Sequence, residues 1–166
     1  MPSVVENIAL ELKRRLERIT TANGYSFSVC EVVRPDRLGQ LIKPEDALVV
    51  MNQGDSTRNT ELDRPGNPPA VAYDVEFEIN CFVRQSERDA VAYEPVQNER
   101  GAQIMKAITL EATDPGRWFS FEGNAIIAEF GNLQPFSQSD GNHNGIIVPL
   151  TVTYRHSEND PYEVRA

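Results

Sequence analysis

The segment Ala70–Arg84, AVAYDVEFEINCFVR, constrains this chain more than any other. Val71, Tyr73, Val75, Phe77, Ile79, Cys81 and Val83 are apolar at every second position, with Ala72, Asp74, Glu76, Glu78, Asn80, Phe82 and Arg84 between them. Successive side chains on a strand point to opposite faces, so a period of two predicts a long antiparallel strand with one dry face and one acidic face. The dry face needs an apolar layer over it. The acidic face has to meet water or another subunit.

Two segments can supply the cover. Val5, Ile8, Leu12, Leu16 and Ile19 recur at spacings of three and four, which predicts an amphipathic helix over Ser3–Thr21. Ser3 is its expected N-cap, Glu6 the capping-box partner, and Asn23-Gly24 the stop. A second helix is predicted from about Glu94 or Pro95 to Leu110, with Ile104, Met105, Ile108 and Val96 toward the core.

Further strands are expected over Tyr25–Val33, over Ala47–Asn52 with its buried LVVM, and over Ile146–Arg155, where Pro149 implies an edge position or a bulge. Trp118–Phe121 and Asn124–Leu133 read as one or two more, after a turn at Asp114-Pro115-Gly116. Gln53–Pro69 has no apolar period and is expected to be a long projecting loop or hairpin tip; Pro135–Gly145 is a second polar loop. This order predicts an α+β fold, a mostly antiparallel sheet with two amphipathic helices packed on one face and long loops projecting. The expected organisation is a single domain over 1–156 and a charged, loosely held tail over 157–166.

At 166 residues, 40% hydrophobic and 25% charged, the chain suits one globular core. A net charge of −9 lacks the clustered Lys and Arg of a nucleic-acid binder. Lys13, Arg14, Arg15 and Arg18 alternate with Glu6, Glu11 and Glu17, as on a solvated helix face. No apolar run approaches the roughly 20 residues that span a bilayer, and charges interrupt the first apolar positions, so neither a membrane anchor nor a signal peptide is expected. Cys30 and Cys81 fall in expected strands; they admit a disulfide between neighbours, and two buried reduced thiols are the favoured reading.

The search for chemistry is mostly negative. The chain has no phosphate loop, dinucleotide fingerprint, HExxH or CxxC. His143, among turn formers in GNHNG, and His156, after the last strand, lie outside the expected elements. Asp74, Glu76 and Glu78 stand about 7 Å apart along one strand face, close enough to suggest a metal or acid/base site. Further converging ligands are missing from the sequence, and a solvent- or interface-facing row is the better reading. No catalytic residue, cofactor or metal is assigned. Trp118, Phe119 and Phe121 suggest a core or subunit contact.

The helix ending in ANGYSFSV, the LVVM strand, the long YDVEFEINCFVR strand, the ERGAQIMKAITLEA helix and the closing VPLTVTYR strand follow one another over nearly the whole chain. In this order and character the chain resembles the tail terminator (tail completion) proteins of long-tailed bacteriophages. The resemblance implies a virion structural protein without an active site. It would be assembled in the host cytoplasm as a hexameric ring at the head-proximal end of the tail, with the tail tube protein and a neck or head-completion protein as partners and DNA passing through its lumen. Asp74, Glu76 and Glu78 are then candidates for the lumen or a subunit contact. Asp55, Arg58, Glu61, Asp63, Arg64, Phe136, Asp140 and His143 are candidates for loop contacts. The alternatives are a neck or head–tail connector, a tube-like subunit, or a small enzyme or ligand-binding domain.

Overall fold

The long alternating segment is the spine of the sheet. In the computed structural model, which describes residues 2–35, 46–84, 93–137 and 144–165, strand β3 covers Ala70–Val83. Strand β6 (Asn144–Ser157) pairs antiparallel with all of it, from Ala70 opposite Ser157 to Val83 opposite Asn144. On the other flank β3 pairs antiparallel with β2 (Leu48–Arg58), interrupted by a bulge between Gln53 and Ser56. Strand β1 (Glu31–Val33) adds beyond β2 in parallel. The far flank of β6 is tiled by three short antiparallel strands, β5 (Gln134–Ser137), β4 (Ile127–Phe130) and β7 (Asp160–Val164). The result is the expected α+β architecture, a mostly antiparallel sheet with seven strands among the described residues.

Helices α1 (Val4–Glu17) and α2 (Tyr93–Leu110) cover the dry face. Val75, Phe77, Ile79 and Cys81 of β3 and Ile146, Val148, Leu150 and Val152 of β6 are fully buried against Ile8, Leu12, Leu16, Ile104 and Ile108. Each such aliphatic or Phe side chain contributes about 1.5–3 kcal/mol by leaving water. Ser3 caps α1 by accepting the Glu6 N–H at 3.3 Å. The Glu6 carboxylate turns instead to Arg34, at 2.7 and 2.9 Å, and ties α1 to the chain after β1.

Several expectations change. Helix α1 stops at Glu17, and Gly24, at φ 83°, caps a separate 3-10 helix, Thr21–Asn23. Only 31–33 of the predicted Tyr25–Val33 strand pairs with β2, because Tyr25 turns inward to donate its hydroxyl to Glu111 at 2.8 Å beneath Lys106. Cys30 is therefore exposed while Cys81 is buried, and neither is in a disulfide. The predicted loop at Gln53 is strand as far as Arg58, which leaves a hairpin tip over 59–69.

Trp118–Phe121 is not strand. Asp114 caps a 3-10 helix, Pro115–Ser120, and Phe121 follows at φ 45° with its ring buried under the Arg15 guanidinium. Strand in the Asn124–Leu133 segment is confined to β4. Both ends of the predicted Pro135–Gly145 loop are paired, as β5 and the start of β6.

Pro149 sits in the interior of the sheet, without an edge or a bulge at its pairing with Glu78. A residue's N and C=O point to the same side of an antiparallel strand. The Pro149 carbonyl accepts the Gly131 N–H at 2.9 Å, so the missing donor falls in the break between β4 and β5. The expected loose tail is a hairpin: β6 runs to Ser157, taking in His156, and β7 returns beside it with exposed side chains.

Candidate functional site

The face of the sheet turned away from the helices carries Asp74, Glu76, Glu78, Asn80 and Phe82 of β3, and it divides along its length. Glu76 and Glu78 are exposed, and pairing carries the row across the sheet from Glu76 to Thr151 of β6 and on to Glu129 of β4, both also exposed. Toward the Val83 end the surface turns apolar. Phe82, Val50, Ile147, Phe136 and Pro35 line an open groove of about 420 Å³. The rings of Phe82 and Phe136 meet edge to face at 5.5 Å. Phe136 can lie across β6 only because its partner is Gly145; a Cβ there would sit 2.5 Å from the Phe136 ring and 2.4 Å from the Cys81 carbonyl oxygen. Gln97 of α2 holds the same corner by donating to the Gly145 and Phe136 carbonyls at 2.9 and 3.2 Å.

Asp74 does not stand in the row as an open charge. Its carboxylate accepts from Asn59 Nδ2 at 2.9 Å and from the Thr153 hydroxyl at 2.5 Å, fastening the hairpin tip to β6. The tip residues are likewise committed to one another. Arg58 pairs with Asp63 at 2.9 Å, and Asp63 also accepts the Ala72 N–H at 2.8 Å. That backbone donor first, and Arg58 second, hold the Asp63 carboxyl below its usual range. Asp55 is exposed at the bulge and Glu61 is exposed in the 3-10 helix Thr60–Leu62. Arg64 lies at the far end of the sheet from Phe136, so the candidate loop contacts do not form one surface. Asp140 and His143 lie outside the described residues.

Two of the anticipated polar groups, one buried and one half-buried, are packed against other side chains. Arg15, expected on a solvated helix face, is fully buried; it pairs with Glu11 at 2.8 Å and donates to the Ile108 and Trp118 carbonyls at 2.9 and 2.8 Å. His156 stacks on Tyr73 with ring centroids 5.2 Å apart, and Tyr73 stacks on Tyr154 at 5.9 Å. Among the described residues no three His, Cys, Asp or Glu side chains converge closely enough to hold a metal ion. No helix among them is long and apolar enough to cross a membrane.

The apolar groove was missed by sequence reasoning although its signal was present. Phe82 breaks the polar half of the long strand, and the doublets Val49-Val50 and Ile146-Ile147 place apolar side chains on both faces at that end. No protein-family model matches the chain, and no curated protein matches it.

Proposed function

We propose that this chain is a virion structural protein of the tail-terminator type, a ring subunit that caps the tail tube, stops its growth and offers the surface that joins it to the neck. The observation that carries the reading is the divided open face. A helix-backed sheet whose other face no described element covers, with an apolar groove beside a row of carboxylates, is suited to meeting another surface. The order of elements resembles that of the tail terminators and supports the same role.

In this reading the groove at Phe82 and Phe136 meets the next copy of the chain. A ring needs two different surfaces of one subunit that match, and the rotation between copies has to close. Glu76, Glu78 and Glu129 face the lumen, where fixed negative charge keeps passing DNA from adhering. Asp74 takes no part, since its carboxylate is bonded within the subunit.

Deletion of the gene from the virus that encodes it tests the role. The reading requires tails of uncontrolled, excessive length. Tails of normal length that fail to join heads would make the chain a neck connector, and normal joined tails would remove it from tail assembly altogether.

A further inference from the structure

Basic side chains are scarce in this acidic chain, 16 Lys and Arg against 25 Asp and Glu, yet four arginines converge on one notch. It lies at the sheet edge where the flank of β6 is uncovered. Arg165, after β7, bonds to the Arg155 carbonyl, and Ile126, before β4, bonds to the Thr153 carbonyl, so neither covers the position between. The notch, about 240 Å³, is lined by Arg64, Arg117, Arg155 and Arg165, with Phe119 and Val164 among its apolar walls.

Gathering like charges is unfavourable unless something compensates them. Arg155 is only 6% exposed, and its Nε donates to the Leu62 carbonyl at 2.7 Å, which fixes the guanidinium in place. Burial, and then the charge of Arg64, lower its affinity for its proton, against a smaller opposing pull from the Asp63 carboxylate. Among the described residues neither Arg155 nor Arg117 makes an ion pair. Arg165 pairs with Glu163 through Nη2 at 2.8 Å, while its buried Nε–H has no acceptor among the described residues. Strand β6, the 3-10 helix Pro115–Ser120 and the residue after β7 thus each bring a guanidinium to one notch of about 240 Å³.

We infer that this notch is an oxyanion-binding site, taking a phosphate-class anion or a carboxylate presented by a second copy of the chain. Guanidinium groups match both through paired N–H donors, and the low dielectric of a half-enclosed notch strengthens each bond. The inference does not depend on the tail-terminator reading.

Thermal unfolding of the full chain in sodium phosphate, against sodium chloride at matched ionic strength, tests the site. An anion at ten times its Kd raises Tm by about 3–6 °C. The double variant Arg117→Gln/Arg165→Gln, at exposed and half-exposed positions, is expected to lose the rise. Arg84→Gln, at the other end of β3, is expected to keep it. Sedimentation without phosphate separates the two sources. A carboxylate source gives self-association that phosphate and the double variant both dissolve; a free-anion source gives no association and the same thermal shift. The inference is overturned if phosphate neither raises Tm beyond chloride nor dissolves an association, or if the double variant responds like the parent.

Discussion

Replacing Arg15 by Leu should destabilise the fold by about 3–5 kcal/mol, chiefly by removing its bonds to two carbonyls and emptying its place over the Phe121 ring. Arg15 donates to the Ile108 carbonyl near the C-terminus of α2 and to the Trp118 carbonyl of the 3-10 helix, whose other donor, the Phe121 N–H, stands 3.5 Å away. Each lost bond costs about 1–2 kcal/mol. Its place over the Phe121 ring, 4.5 Å from the centroid, adds about 0.5–2 kcal/mol. Glu11 loses less, because Arg14 also holds it, at 2.7 Å. Urea unfolding followed by helical circular dichroism should show a lower midpoint at unchanged slope, and Tm should fall by roughly 6–20 °C. Fluorescence of the single tryptophan, Trp118, reports the same corner directly. A loss below about 1 kcal/mol would mean that Arg15 is not the joint between α1, α2 and the 3-10 helix.

Asp74→Ala should cost about 1–3 kcal/mol and speed amide exchange at 59–63, since it frees Asn59 and Thr153. Glu76→Lys/Glu78→Lys, at exposed positions, should shift stability by less than about 1 kcal/mol while slowing DNA ejection or blocking ring closure; unchanged infectivity would count against a lumen role. Acid titration of stability tests the carboxylates. Hydrogen bonding from Arg34 holds the Glu6 carboxyl below its usual range, and at Glu11 burial pushes the pKa up but Arg14 and Arg15 more than reverse it. Depressed folded pKa values stabilise the fold above the unfolded value, so stability should be steady above about pH 4.5 and fall as pH drops through the folded values. Thiol alkylation should label Cys30 in the native protein and Cys81 only after unfolding, because burial pushes the Cys81 thiol up to about 12.

The strongest periodicities carried the fold. The period of two in Ala70–Arg84 and the helical stripe of α1 reflect burial of whole faces, which local pattern reveals. In α2 Ile104 and Ile108 are buried as expected, but Val96 and Met105 are half-buried and Gln97 and Arg100 share the buried face. The Tyr25–Cys30 alternation misled because one long-range bond, Tyr25 to Glu111, outweighed strand pairing. Pro149 misled because the break between β4 and β5 is created by residues far away in sequence. The open-face carboxylates were visible as a row, but that Asp74 is spoken for depends on Asn59 and Thr153, 15 and 79 positions away. The arginine notch was invisible for the same reason. Arg64, Arg117, Arg155 and Arg165 are scattered singly along the chain, and only the tiling of β6 by short strands brings them together.

The most direct test of the account is electron microscopy of the purified chain mixed with assembling tail tubes. Tubes of arrested length that carry a ring of this protein at one end are expected, with fewer rings when Phe82 or Phe136 is replaced by a charged residue. Bare tube ends and tubes that keep growing in the presence of excess protein would contradict it.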